Sequence, residues 1–141
     1  MPGRCCVTID GTKFNVVDAT FEMNTEKDKA CMPVLQSLTT AVHCMVDLND
    51  DKNFPFGHIK KLFDLGNVPN RDKIKDCKVE FWKDDTMKDV ICSYKFKGWI
   101  SHFRTSNVGN ENGDRHYNHV LKFTLTPVIN KENYQEITLG N

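Results

Sequence analysis

The run from Asp76 to Thr126 constrains this chain more than any other stretch. Cys77, Val79 and Phe81 alternate with Lys78, Glu80 and Trp82. Val90, Cys92, Tyr94 and Phe96 then share a second apolar phase, and Tyr117, His119, Leu121, Phe123 and Leu125 mark a third. Side chains of an extended strand point to opposite faces with a period of two. Three such segments in succession therefore predict a β-sheet, and they carry most of the aromatic residues. No catalytic signature sits among them, which directs attention to surfaces rather than to a reactive centre.

The rest of the chain fits around that sheet. Cys5, Val7 and Ile9 alternate with Cys6 and Thr8, and Asp10-Gly11 follows, the dipeptide that favours a tight hairpin. A second strand from Lys13 to about Asn24 changes apolar phase at Val16-Val17, which predicts a β-bulge and a bent strand. Thr25 to Pro33 opens with the charged run Glu26, Lys27, Asp28, Lys29 and turns apolar at Cys31-Met32-Pro33-Val34-Leu35. This predicts a protruding loop whose apolar half either meets a partner or folds back on its own barrel. A third strand alternates Thr40, Val42, Cys44, Val46 and Leu48 with Ala41, His43, Met45 and Asp47.

A short helix follows, with Pro55 near its first turn. Phe56, Ile59, Leu62 and Phe63 form its apolar stripe, and Lys60, Lys61 and Asp64 face water. Gly66-Asn67 stands where a left-handed C-cap would, before Pro69. Strands over Lys75–Lys83 and from Val90 come next, the latter slipping phase near Gly98. A Gly/Asn-rich loop (Thr105 to Arg115), a strand ended by Pro127, and a short last strand around Glu136–Leu139 complete the chain. The expectation is a mainly β, single-domain fold over residues 1–141. It is a small antiparallel β-barrel of six to eight strands, closed or nearly so, with one short α-helix after the third strand.

Composition narrows the function classes. Lys plus Arg is 19 and Asp plus Glu is 19, giving a net charge of zero. That lacks the basic footprint of a nucleic-acid binder, and low net charge favours self-association. The apolar runs are too short for a membrane-spanning helix or a classical signal peptide, which points to synthesis and folding in the cytosol. The six cysteines at 5, 6, 31, 44, 77 and 92 show no CxxC or metal spacing and read as free thiols in a reducing compartment.

The candidate reactive groups dissolve on inspection. Asp84-Asp85 is a polar turn; His116 and His119 fall on opposite faces of a strand start, as do the adjacent His43 and Cys44. The run Gly109-Asn110-Glu111-Asn112-Gly113-Asp114 lacks the spacing of a calcium loop. The reading is of a non-enzyme with no catalytic residues, no cofactor and no metal site.

The order of elements resembles the haemolysin-coregulated protein (Hcp, TssD) family, tube proteins of type VI secretion systems. The opening hairpin, the bent strand and extended loop Thr25–Leu35, the single helix Phe56–Leu65 and the paired strands Lys75–Lys83 and Val90–Ile100 carry it. Most specific is the stretch Ser101 to Leu125, where a Gly/Asn-rich loop ends in Asp114-Arg115 and opens a strand with Val120, Leu121, Phe123 and Leu125. The chain departs from longer members where charges and cysteines replace a Gly/Ser-rich approach to the extended loop.

The resemblance implies hexameric rings of barrels, with neighbours' sheets joining around a lumen. Rings would stack into a tube inside a contractile sheath, capped by a spike and expelled on contraction, with effectors held in the lumen. Partners would be further copies of the chain and the sheath, spike and effector proteins, with no nucleic acid and no membrane insertion. The tube would assemble in the cytoplasm and be secreted without a signal peptide. Mapped on this chain, Glu26, Lys27, Asp28, Lys29, Met32 and Leu35 would touch the next ring. Asn107, Asn110, Asn112, Asp114 and Arg115 form a second stacking candidate. Cys5, Val7 and Ile9, with the final strand, would form the edge joining neighbours within a ring. A tube protein of another contractile injection system or phage tail is the alternative within this architecture. A small-ligand-binding barrel is the alternative of another class, disfavoured by bulky Phe81, Tyr94 and Phe123.

Overall fold

The computed structural model describes residues 4–34, 37–67, 70–84, 86, 88–107, 119–128 and 137–140. Its strands are β1 Cys5–Ile9, β2 Thr12–Val16, β3 Asp18–Asn24, β4 Thr39–Asp47, β5 Lys75–Trp82, β6 Val90–Asn107, β7 His119–Pro127 and β8 Thr138–Gly140. Helix α1 (Phe56–Asn67) and a 3-10 turn at Arg71–Lys73 separate β4 from β5. All eight strands belong to one antiparallel sheet ordered β2-β1-β5-β6-β7-β4-β3, with β8 paired to β6.

The alternation seen in the sequence becomes an inside and an outside. Val7, Ile9, Phe14, Val42, Val46, Val79, Leu121, Phe123 and Leu125 are all buried in one core. Each such side chain, moved out of water, contributes about 1.5–3 kcal/mol. The hairpin joining β1 and β2 is the one Asp10-Gly11 predicts: φ is +50° at Asp10 and +81° at Gly11, as a tight primed turn requires. Gly11 reaches that angle without steric cost.

The phase slip at Val16-Val17 has a larger consequence than a bulge. β2 and β3 are successive in sequence yet lie at the two ends of the strand order. One bent segment thus spans both ends of the sheet, and Val17 N–H donates to the Met45 carbonyl at 2.9 Å. This curls the sheet around its core. The closed barrel expected from the sequence is not formed, because the hydrogen-bonded ladder stops at β2 and β3. The strand count, the antiparallel pairing and the helix position are as expected.

Three local expectations need correction. The buried residues of α1 are Leu62 and Leu65, with Ile59 partly buried, whereas Phe56 is 74% exposed and Phe63 is 48% exposed. Leu65 rather than either phenylalanine completes the inward stripe. Gly66 is helical, without a left-handed φ; a Cβ there would sit 3.1 Å from Ile100, so its smallness lets the helix approach β6. In β6 the register shifts between Ile100 and His102, not at Gly98. Gly98 is instead a tight packing point, where a Cβ would meet the Thr126 carbonyl at 2.9 Å.

Candidate assembly surfaces

The loop between β3 and β4 is built rather than merely polar. Lys27 and Pro33 form a bridge, and Val34 N–H donates to the Glu26 carbonyl at 2.9 Å. Inside it the Asp28 carboxylate accepts from the amides of Ala30 (2.9 Å) and Met32 (3.0 Å), an Asx-type turn that lets Cys31 adopt φ +62°. Ser37 closes the base, its Oγ accepting from Glu26 N–H and donating to the Val34 carbonyl. Glu26, Lys27, Asp28 and Lys29 are exposed, and Met32 is 60% exposed. Met32 therefore does not fold back on the core. Leu35 lies outside the described residues.

Of the second loop, Asn107 ends β6 and is exposed; Asn110, Asn112, Asp114 and Arg115 lie outside the described residues. Cys5, Val7 and Ile9 are not at an edge. β1 is paired with β2 on one side and β5 on the other, and all three side chains are buried. A strand that opens the chain reads locally like an edge, but its long-range pairing with β5 is not written in its own residues.

The ends of the sheet differ. At β2, the Asn53 side chain accepts from Asn15 N–H at 2.8 Å and donates to the Asn15 carbonyl at 2.8 Å. One amide thus imitates a neighbouring strand, and Phe54 beside it packs edge-on to Phe14 at 4.8 Å. At the other end, β3 pairs only with β4 among the described residues, leaving its second side without a strand. β8 pairs with β6, its one partner among the described residues. The sequence signal for the β3 edge was the slip at Val16-Val17; nothing in the local pattern marks Asn53 as a cap.

The outward face of β2, β1, β5, β6 and β8 carries a basic row. The pairing register aligns Lys13, Thr8, Lys78, Lys95 and Thr138 across the five strands. Glu80, nearly buried, lies 3.8 Å from Lys13 and 3.7 Å from Lys78. On β3 the outward residues Asp18 and Glu22 are acidic and exposed, and Glu22 meets His43 Nε2 at 2.8 Å.

His43 and Cys44 do not form a nucleophilic pair. His43 is exposed while neighbouring Cys44 is buried, so they face opposite sides. Burial is the main cause pushing the Cys5 and Cys77 thiols up to about 12 and Cys44 well above its ordinary value, so these sulfurs stay protonated and unreactive. The interior is filled: Phe14 packs edge-on against both Phe54 and Phe123, which works against the small-ligand alternative.

No family model matches the chain, and no curated protein matches it by sequence. Solved structures do. The structure of Hcp1 from Flavobacterium johnsoniae aligns over 96% of this chain and 94% of its own, with TM-score 0.65 and 14% identity. A crystal structure of an Hcp protein aligns over 97% and 96%, with TM-score 0.63 and 8% identity. The sheath/tube terminator of an extracellular contractile injection system, PVC, aligns over 98% and 94%, with TM-score 0.57 and 13% identity. At these identities the likeness is one of fold, extending over nearly the whole of each chain. The chain has the fold seen in these Hcp structures.

Proposed function

We propose that this protein is a structural tube subunit of a type VI secretion system, forming six-membered rings that stack into the inner tube expelled when a sheath contracts. The observation that carries this reading is end-to-end coverage of the Hcp fold in a chain whose distinctive features are surfaces. The Cys5, Cys44 and Cys77 thiols are buried, and the apolar side chain of Met32 stands in water on a braced loop. Glu26–Leu35 is the ring-to-ring contact, with Thr105–Arg115 as a second. Effectors travel in the lumen, and assembly in the cytoplasm precedes secretion. The likeness to the PVC terminator keeps a second reading open, a tube component of an extracellular contractile injection system.

Negative-stain electron microscopy of the purified chain tests the proposal. The expected images are rings with sixfold end views, and short stacks at high concentration. A uniformly monomeric particle field at tens of micromolar contradicts it.

A further inference from the structure

An outward-facing hollow of about 380 Å³ lies over β5, β6 and β8, within the usual size range of small-ligand sites. The pairing register builds it from two neighbouring rows: Lys78, Lys95 and Thr138 in one, Glu80, Ser93 and Gly140 in the next. The β5–β6 register shifts between Phe81 and Trp82, which sets Trp82 opposite Val90, and these two form the apolar part of the lining. Lys88 completes the basic part. Lys78 and Lys95 stand directly opposite each other on neighbouring strands, where like charges repel. Glu80 lies 3.7 Å from Lys78 but is shared with Lys13 at 3.8 Å, and Lys88 and Lys95 have no ion pair among the described residues. Ser93 is only 9% exposed, yet its hydroxyl makes no hydrogen bond among the described residues, whereas buried hydroxyls are ordinarily partnered. A Cβ on Gly140 would stand 3.2 Å from the Ser93 Oγ, so glycine there leaves the hydroxyl open to the hollow.

We infer that this hollow binds a small phosphate monoester, with the phosphate among Lys78, Lys88 and Lys95 and the organic part against Trp82 and Val90. Charge decides between candidate anions. The three ammonium groups of the lining, less the Glu80 carboxylate, leave +2. A phosphate ester carries about −1.5 to −2 at neutral pH and three strong acceptor oxygens. It therefore matches both the charge and the donors, which are the lysines with the Ser93 and Thr138 hydroxyls. A carboxylate brings one charge and two oxygens and leaves part of that set unmet. Lysines hold phosphate as point charges. Trp82 and Val90 offer apolar surface that an inorganic ion cannot use, which favours an ester over free phosphate. All these residues belong to one chain, so the inference does not depend on the tube reading.

Isothermal titration calorimetry tests the site with adenosine monophosphate as the probe, and with adenosine and inorganic phosphate as its two halves. Adenosine monophosphate is expected to bind once per chain, about tenfold or more tighter than either half. Lys88→Glu combined with Lys95→Glu turns the charge of the lining from +2 to −2 and should abolish binding. Ser93→Ala should weaken it about tenfold, the loss of one hydrogen bond to a charged group. Gly140→Val keeps every charge but covers the Ser93 hydroxyl, and should weaken binding to a similar degree. Lys122→Glu, on β7 and outside the lining, should leave affinity unchanged. Near-ultraviolet circular dichroism reports whether each variant is folded. Failure of the wild type to bind adenosine monophosphate overturns the assignment. So does equal binding by the folded double lysine variant, or by Ser93→Ala and Gly140→Val together with the wild type. Adenosine or inorganic phosphate binding as tightly as the ester overturns it as well.

Discussion

The two ends of the sheet have the same backbone chemistry and opposite fates. At β2 the chain covers its own edge, with the Asn53 amide standing in for a strand and Phe54 sealing it from the core side. At β3 no strand among the described residues lies along the outer edge, which carries acids outside and Met23 within. Exposed strand edges invite pairing with other chains, and proteins that need to remain apart cover or charge them. The lesson is that an edge's sequence says less than what the rest of the fold lays against it.

Removing the cover should produce the largest effect. Phe54→Ala empties a fully buried site against Phe14 and is expected to cost about 3–5 kcal/mol in urea unfolding. Asn53→Ala leaves the Asn15 N–H and C=O without their partner and should cost about 2 kcal/mol. It should also bring concentration-dependent aggregation, as β2 becomes a second open edge. If Asn53→Ala were neutral and soluble, the cap would be irrelevant and the contrast with β3 would fail.

Changes on the open side of the sheet and on the braced loop should leave folding largely intact. Glu22→Lys breaks a half-exposed contact with His43 and is expected to cost under about 1 kcal/mol of stability. Met32→Asp, on the braced loop, should change stability by no more than about 0.5 kcal/mol and leave single rings while abolishing stacks. Loss of folding in this variant would put Met32 in the core instead.

The inner position of β1 is tested by its thiols. Cys31 should react with a thiol reagent at once, and Cys5 and Cys77 only on unfolding. For both buried thiols the folded value is raised, from 9.0 to about 12. Their contribution to stability is therefore fully present below pH 9 and is lost as pH rises from 9 toward 12, where the unfolded chain ionises and the folded one does not. A midpoint for denaturant unfolding that is flat across this range would contradict burial of β1.

Much of this was legible in the residues. Alternation placed Val7, Val42, Val46, Val79 and Leu121 inside, and Asp10-Gly11 announced its turn. These features are local and periodic. The failures concern what lies far apart in sequence. Cys5, Val7 and Ile9 read as an edge because pairing with β5 joins residues about seventy positions away. Phe56 and Phe63 read as a buried stripe because hydrophobicity alone does not say which helix face meets the sheet. The phase slip at Val16-Val17 was visible, but a bulge and a passage between both ends of a curled sheet share that signature. The register shift in β6 fell at Ile100/His102, where neighbouring residues are too mixed to mark it. Of the candidate contacts, the braced loop was legible as a charged run turning apolar. The β3 edge and its Asn53-capped opposite emerge only once strand order is known.

Hydrogen exchange followed by mass spectrometry on peptides covering β2 and β3 tests the contrast most directly. The protein is measured where rings are populated and again after dilution into protomers. The account requires slow exchange at Asn15 in both conditions, with the unpaired amides of β3 exchanging faster in the protomer. Exchange at Asn15 as fast as that of the unpaired β3 amides would contradict it.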